Sequence, residues 1–232
     1  MAVFRNRSES VSRLEGFSDT AFGFAITLLV VSLAVPNHFD ELLQQLRGLP
    51  VFAVTFALVA NIWYAQYVFF RRYAMSDIVT VALTLVLLFV VLFYVYPLKF
   101  LFGVAFGVGG ISIRPSEVPA LFLIYGIGFA SVSAVLTLLY VNAYRKRKEL
   151  GLNDWEIFVT RLSIVDHLAS GSVGLVSAGL ALVVPEPATS FVAGYIYFLV
   201  GVVKFVAGSI RGRRARAIGK SERNPALRHP AP

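Results

Sequence analysis

Residues 13–36, RLEGFSDTAFGFAITLLVVSLAVP, place an arginine, a glutamate and a Ser-Asp pair directly before an apolar run of membrane-spanning length. From Gly16 to Val35 the only charge is Asp19. A carboxylate at the mouth of a membrane helix is costly, so it needs a partner and often marks function. Ser12-x-x-Glu15 fits a capping box, and Ser18 and Asp19 are further cap candidates. Asp19 nevertheless lies past Gly16 and Phe17, inside the apolar run. Arg13 stands six residues earlier, off the spacings that pair neighbouring side chains along a helix. Partners for Asp19 are therefore expected from other helices.

Working outward, the same kind of run recurs. Six candidate spans, each near the ~20 residues a bilayer crossing needs, cover Gly16–Val35, Val51–Phe70, Ile78–Phe102, Pro119–Ala143, Leu162–Val184 and Ala188–Ser209. The third holds Pro97, where a helix kinks or ends. Alternating ten-residue segments of the β-barrel kind are absent. The chain is 57% hydrophobic and 15% charged, against roughly 25% charged in a soluble domain. The expected class is an all-α integral membrane protein. Residues 1–210 form its six-helix domain and 211–232 a basic, disordered tail. No cleavable signal peptide and no appended soluble domain are expected. With no cysteine, disulfides, thiolate metal sites and Cys nucleophiles are excluded.

Charge sets the orientation. Of the 21 Lys and Arg residues, seventeen fall in the N-terminal segment, the 71–72 and 145–161 connections, and the tail from Arg211. Placing these inside satisfies the positive-inside rule with both termini cytoplasmic. The net charge of +8 is thus read as topology, not nucleic-acid binding. The tail is expected to lie beside anionic lipid, with a specific headgroup role as the alternative. A multi-pass protein of the cell membrane, in a bacterium the inner membrane, follows as the expected location.

On the first helix, Phe24, Leu28 and Val31 fall at i, i+4 and i+7, with Thr27 beside them. Ala21, Gly23, Ala25 and Ser32 offer small residues for helix packing. Such a stripe alone fits a lipid-facing or core surface as well as a pore.

Arg13-x-x-x-Phe17-Ser18-Asp19, followed by AFGFAITLLVVSL, resembles the R-x-x-x-F-S-D signature of the transmembrane protein 175 family. Its members are potassium channels without the TVGYG filter, which this chain also lacks. The resemblance implies a homotetramer of single six-helix units, with the first helix of each lining a central pore. It implies constrictions at Phe24, Leu28 and Val31, and a selectivity role for Thr27. It implies a polar network of Arg13, Phe17, Ser18, Asp19 and Trp63 that holds the pore helix. Potassium is then the permeant ion, no cofactor or metal is needed, and self-association and membrane lipids are the partners. Two departures stand out. Phe24 replaces the family's usual Ile or Leu, and the segment after Trp63 reads Tyr64-Ala65-Gln66-Tyr67 where a His pair is common.

Asp166 and His167 in the fifth span lie at the depth of Lys204 in the sixth, so an intramembrane Asp166–Lys204 pair is expected. Asn61 is expected to bond between helices. Asp154-Trp155-Glu156 reads as an interfacial helix start with an aromatic anchor. An enzyme is not expected, because no metal cluster or triad is spelled out. Two alternatives to a passive channel stay open. One is a proton-coupled transporter using Asp19, Asp166 and His167, and the other is a non-conducting relative.

Overall fold

The computed structural model describes residues 4–8, 10–31, 36–108, 112–185 and 188–223; the side chains of residues 31, 44, 189–191 and 219–223 fall outside that description. The described chain is all helical. Its elements are α1 (Arg13–Val31), α2 (Phe39–Leu46), α3 (Leu49–Tyr73), α4 (Ile78–Phe106), α5 (Val118–Arg145), α6 (Asp154–Val183), α7 (Ala188–Tyr195) and α8 (Phe198–Arg223), with one 3₁₀ turn at Pro115–Glu117.

Local chemistry sets several boundaries. Pro50 in the first turn of α3 needs no intrahelical N–H partner there. Asp77 occupies the N-cap position of α4 in an extended conformation, and its side chain accepts from the Thr80 hydroxyl at 2.7 Å. Gly107 ends α4 with φ 62°, a left-handed conformation that costs glycine nothing. Asn153 and Glu156 form a reciprocal capping box at the start of α6.

Among the described residues, five helical stretches are long and apolar enough to cross a membrane: Leu49–Tyr73, Ile78–Phe106, Pro115–Arg145, Asp154–Val183 and Val192–Ile218. The first expected span differs. Helix α1 has 19 residues and carries Arg13, Glu15 and Asp19 in its first two turns, and residues 32–35 lie outside the described ones. Helix α4 continues through Pro97 to Phe106. The sixth expected span is divided. Helix α7 ends at Tyr195, and tight turns at Ile196 and Tyr197 lead into α8. There Tyr197 meets Phe129 edge-on at 5.6 Å.

The basic segment also departs from expectation. Instead of disorder from Arg211, α8 runs on to Arg223; residues 224–232 lie outside the described ones. Arg, Lys and Ala are good helix formers, and extending a helix already nucleated in the apolar segment costs little.

The most extensive helix pair is α5 with α6. A Cβ on Gly126 would sit 2.4 Å from the Gly174 carbonyl oxygen, and one on Gly174 would sit 2.8 Å from that of Gly126. These two backbones touch only because both residues are glycine. The main core then gathers Phe69, Tyr73, Leu87, Val91, Tyr94, Tyr125, Leu139 and Tyr140 from α3, α4 and α5. Helix α1 packs on α3 and α4 through one side.

Candidate functional site: the open face of the first helix

Helix α1 is two-faced within a single chain. Glu15, Ser18, Phe22, Ala25 and Leu29 are buried, a stripe repeating every three or four residues. Around the other side, Phe17, Thr20, Gly23, Phe24, Thr27 and Val30 are exposed. Phe24 is 65% exposed, although it is a large apolar side chain. A Cβ on Gly23 would meet nothing within 4 Å. The packing face therefore uses Phe22 and Leu29 as well as Ala25, and not the small residues alone. Ala21 is half-buried, and Ser32 lies outside the described residues.

The apolar stripe of Phe24, Leu28 and Val31 does not present itself evenly. Phe24 is open, Leu28 is half-buried at the edge of the packed side, and the side chain of Val31 lies outside the described residues. Thr27 shares the open face, its hydroxyl donating to the Gly23 carbonyl at 2.9 Å. That bond satisfies the hydroxyl within the helix and leaves an oxygen lone pair facing outward.

Two hydrogen bonds hold α1 to α3. The Ser18 hydroxyl donates to Gln66 Oε1 at 2.6 Å in a buried position. Trp63 Nε1 donates to Asp19 Oδ1 at 2.7 Å. Trp63 also stacks on Tyr67, with ring centroids 5.7 Å apart. Asp19 thus has its cross-helix partner, but it is exposed and not buried. Arg13 and Phe17 are exposed, and among the described residues Arg13 has no hydrogen bond or ion pair. Of the expected network, the chain itself joins Asp19 to Trp63 and supplies Gln66 as the partner of Ser18. The outer half of α1 is touched by α4, where Lys99 Nζ donates to the Leu29 carbonyl at 3.4 Å.

Further polar contacts lie among the other helices. Lys204 donates to Asp166 Oδ2 at 2.7 Å, so the structure brings that pair together. His167 is buried and stacks on Tyr140 at 5.4 Å. The Asn61 side chain is exposed and makes no hydrogen bond among the described residues, contrary to its expected interhelical role.

Sequence reasoning missed the tightest polar knot. Arg7 donates to both carboxylate oxygens of Glu156, at 3.2 and 2.7 Å, and to the carbonyls of Leu150 and Arg72. The Glu156 side chain is fully buried. Phe4 lies edge-on to Tyr73 at 5.5 Å, with the Arg72 guanidinium over its ring. The Asn153-x-x-Glu156 spacing was the available signal, but it predicts a cap and says nothing about Arg7. Nearby, Asp77 accepts from Thr80 and Asn142 and faces Lys146 at 3.4 Å. Partial burial opposes its ionisation, yet those hydrogen bonds and the lysine charge prevail and hold its carboxyl below the usual range. The segments rich in Lys and Arg therefore meet at one end of the bundle.

Comparison with known proteins fits this architecture. Residues 13–94 match the family model described as the endosomal/lysosomal potassium channel TMEM175. A protein of Marivirga tractuosa named a potassium channel is 36% identical over 230 residues, covering 93% of each chain. A crystal structure of a variant of the potassium channel MtTMEM175, in complex with a Nanobody-MBP fusion protein, superposes with a TM-score of 0.79. It is 36% identical and covers 92% of this chain and 98% of the other. A homologue from Chamaesiphon minutus, described as a lysosomal potassium-selective channel TMEM175 homolog, is 23% identical with a TM-score of 0.53 and shares the fold.

Proposed function

The chain belongs to the TMEM175 family of potassium channels, and from that premise we propose that it forms a passive potassium-permeable pore lined by α1. It is not an enzyme. In this reading α1 is a sixth span, the end of the bundle rich in Lys and Arg faces the cytoplasm, and four copies surround one axis. The observation that carries the proposal is the open face of α1. A helix held on one side by Ser18–Gln66 and Asp19–Trp63 turns Phe24 and Thr27 away from its own chain. An apolar face backed by a rigid polar anchor suits a constriction whose radius must be held constant.

Phe24, Leu28 and Val31 form the apolar constriction in this proposal, and Thr27 supplies the hydroxyl that favours potassium. Four phenyl rings narrow the path more than four leucines, so Phe24 is the dominant barrier. Arg13 and Phe17 complete the network across subunit boundaries, which accounts for their exposure in one chain. The proton-coupled alternative draws on Asp19, Asp166 and His167, and the engagement of Asp19 by Trp63 and of Asp166 by Lys204 favours the passive reading.

The test is potassium flux from liposomes carrying purified protein, wild type beside Phe24→Ala, with sodium and proton gradients as controls. The proposal expects potassium flux in the wild type and a severalfold rise in the variant. Flux that depends on a proton gradient supports a transporter, and no flux from either protein leaves a non-conducting relative.

A further inference from the structure

Helix α3 is long and apolar enough to cross a membrane. It runs from Leu49 to Tyr73, so Asn61 stands at its centre, twelve residues from either end. At 1.5 Å per residue that is about 18 Å from each end, the middle of a hydrocarbon core about 30 Å thick. The Asn61 side chain is exposed there and has no hydrogen bond among the described residues. A carboxamide carries two N–H donors and an acceptor oxygen, and hydrocarbon has nothing to pair with them.

Exposed hydroxyls on other helices are satisfied from within. Thr20, Thr27 and Ser172 each donate to the carbonyl four residues before, at 2.9, 2.9 and 3.0 Å. The outward side chains Phe89 and Phe93 of α4 and Phe205 of α8 are 72–75% exposed and wholly apolar, as acyl chains require. The outer face of α3 is different in kind, because its central residue asks for a polar partner.

That face also adjoins the contact that holds α1. Tyr64, one turn along from Asn61, is exposed and stacks near Tyr67 with ring centroids 6.1 Å apart. Tyr67 in turn stacks on Trp63 at 5.7 Å, and Trp63 Nε1 is the donor to Asp19. A ladder of rings thus runs from the α1–α3 bond out to the turn that carries Asn61. Ala57, one turn to the other side, is exposed and small, which lets another helix come close.

We propose that the face of α3 carrying Ala57, Asn61 and Tyr64 is a contact surface for a second copy of this chain, with the Asn61 amide hydrogen-bonded across it. The proposal rests on the self-association described above and names a face that makes it. An amide at mid-membrane rules out lipid as the occupant. A second copy brings helices that cross the same depth, and their carbonyls and hydroxyls reach the bilayer centre. Amide hydrogen bonds between helices hold membrane assemblies together in this way. The copy is the occupant because the ring ladder joins this face to α1, whose open face the same assembly covers.

The test is photocross-linking of the full-length protein in membranes, with p-benzoylphenylalanine in place of Tyr64 or, as a control, in place of Phe93. The first is expected to trap a species of two 25.4 kDa chains, and the second only lipid adducts. Asn61→Leu beside the Tyr64 probe should lower the trapped fraction roughly fivefold, the equivalent of one hydrogen bond between membrane helices. Asn61→Gln keeps the amide and should retain trapping. Leucine on an exposed apolar helix leaves the packing within one chain untouched, so lost trapping with an unchanged helical spectrum reads as lost contact. Lipid adducts alone at both positions, equal trapping at both, or trapping unmoved by Asn61→Leu would each overturn the surface. A lysine-reactive cross-linker on the same membranes separates this outcome from the assembly reading. Oligomers trapped by that reagent but not from position 64 leave self-association standing on another face. Single chains with both reagents remove the four-copy reading as well.

Discussion

Ser18 and Asp19 show how two adjacent side chains fix the aim of a helix. Both bond to α3 from adjacent positions, so rotation of α1 breaks at least one bond. Ser18→Ala leaves the buried Gln66 side chain without its hydrogen bond from Ser18, since Gln66 Nε2 is already unbonded. A loss of about 1–3 kcal/mol is expected, measured as a lower thermal midpoint in detergent beside wild type. At Leu28, half-buried on the edge of the open face, a serine is expected to wet the proposed constriction and raise resting potassium flux in liposomes. Asp77 gives a pH signature. Because its carboxyl is held below the ordinary value, its contribution is complete above the unfolded-state value near ~3.9 and fades as pH falls through the folded one. Asp77→Ala should cost about 1 kcal/mol at neutral pH by loss of its hydrogen bonds from Thr80 and Asn142. It should also flatten the decline in melting temperature on acidification.

At the scale of elements, the α5–α6 contact and the Arg7 strap do different work. The α5–α6 seam is a dry backbone approach with no room for a side chain at Gly126 or Gly174. Gly174→Val is expected to force the helices apart at a cost of about 1–3 kcal/mol, visible as a lower unfolding midpoint. The strap instead spends a buried ion pair to tie residues 4–8 to the ends of α3 and α6. Truncating Glu156 to Ala strands the Arg7 guanidinium, and a loss of about 3–5 kcal/mol follows for an uncompensated buried charge. Residues 4–8 lead directly toward α1, so limited proteolysis near Arg7 should quicken in Glu156→Ala.

For the whole molecule, the single chain leaves an apolar face on its first helix and buries its core elsewhere. That open face carries Phe17, Thr20, Gly23, Phe24 and Thr27, with both threonine hydroxyls bonded inside the helix. In the proposed assembly, the open face of α1 is covered by the other copies around one axis. Cross-linking in membranes should therefore trap a species of four 25.4 kDa chains, and a chain that stays single would remove the shared pore.

Hydropathy and charge were enough to define an all-helical membrane protein, because lipid demands long apolar helices and the basic residues sort to one side of them. The 13–19 signature pointed to the family before any fold was known. Pairings that need two distant segments to meet were less legible. The Lys204–Asp166 pair could be anticipated because both residues stood at one depth in neighbouring spans. The Arg7–Glu156 pair could not, since nothing in either segment names the other across a sequence separation of 149. Asn61 looked like an interhelical donor by type alone, yet the rotation of α3 leaves it exposed. The break at Ile196 and Tyr197 and the helical course of residues 211–223 were equally invisible to hydropathy, which records how apolar a segment is and not how its backbone is paired. Sequence alone determined the class, an all-helical membrane protein built on long apolar helices. Only the tertiary structure decided which side of that helix is buried, because a helix's rotation is set by the neighbours it bonds to and not by its own composition.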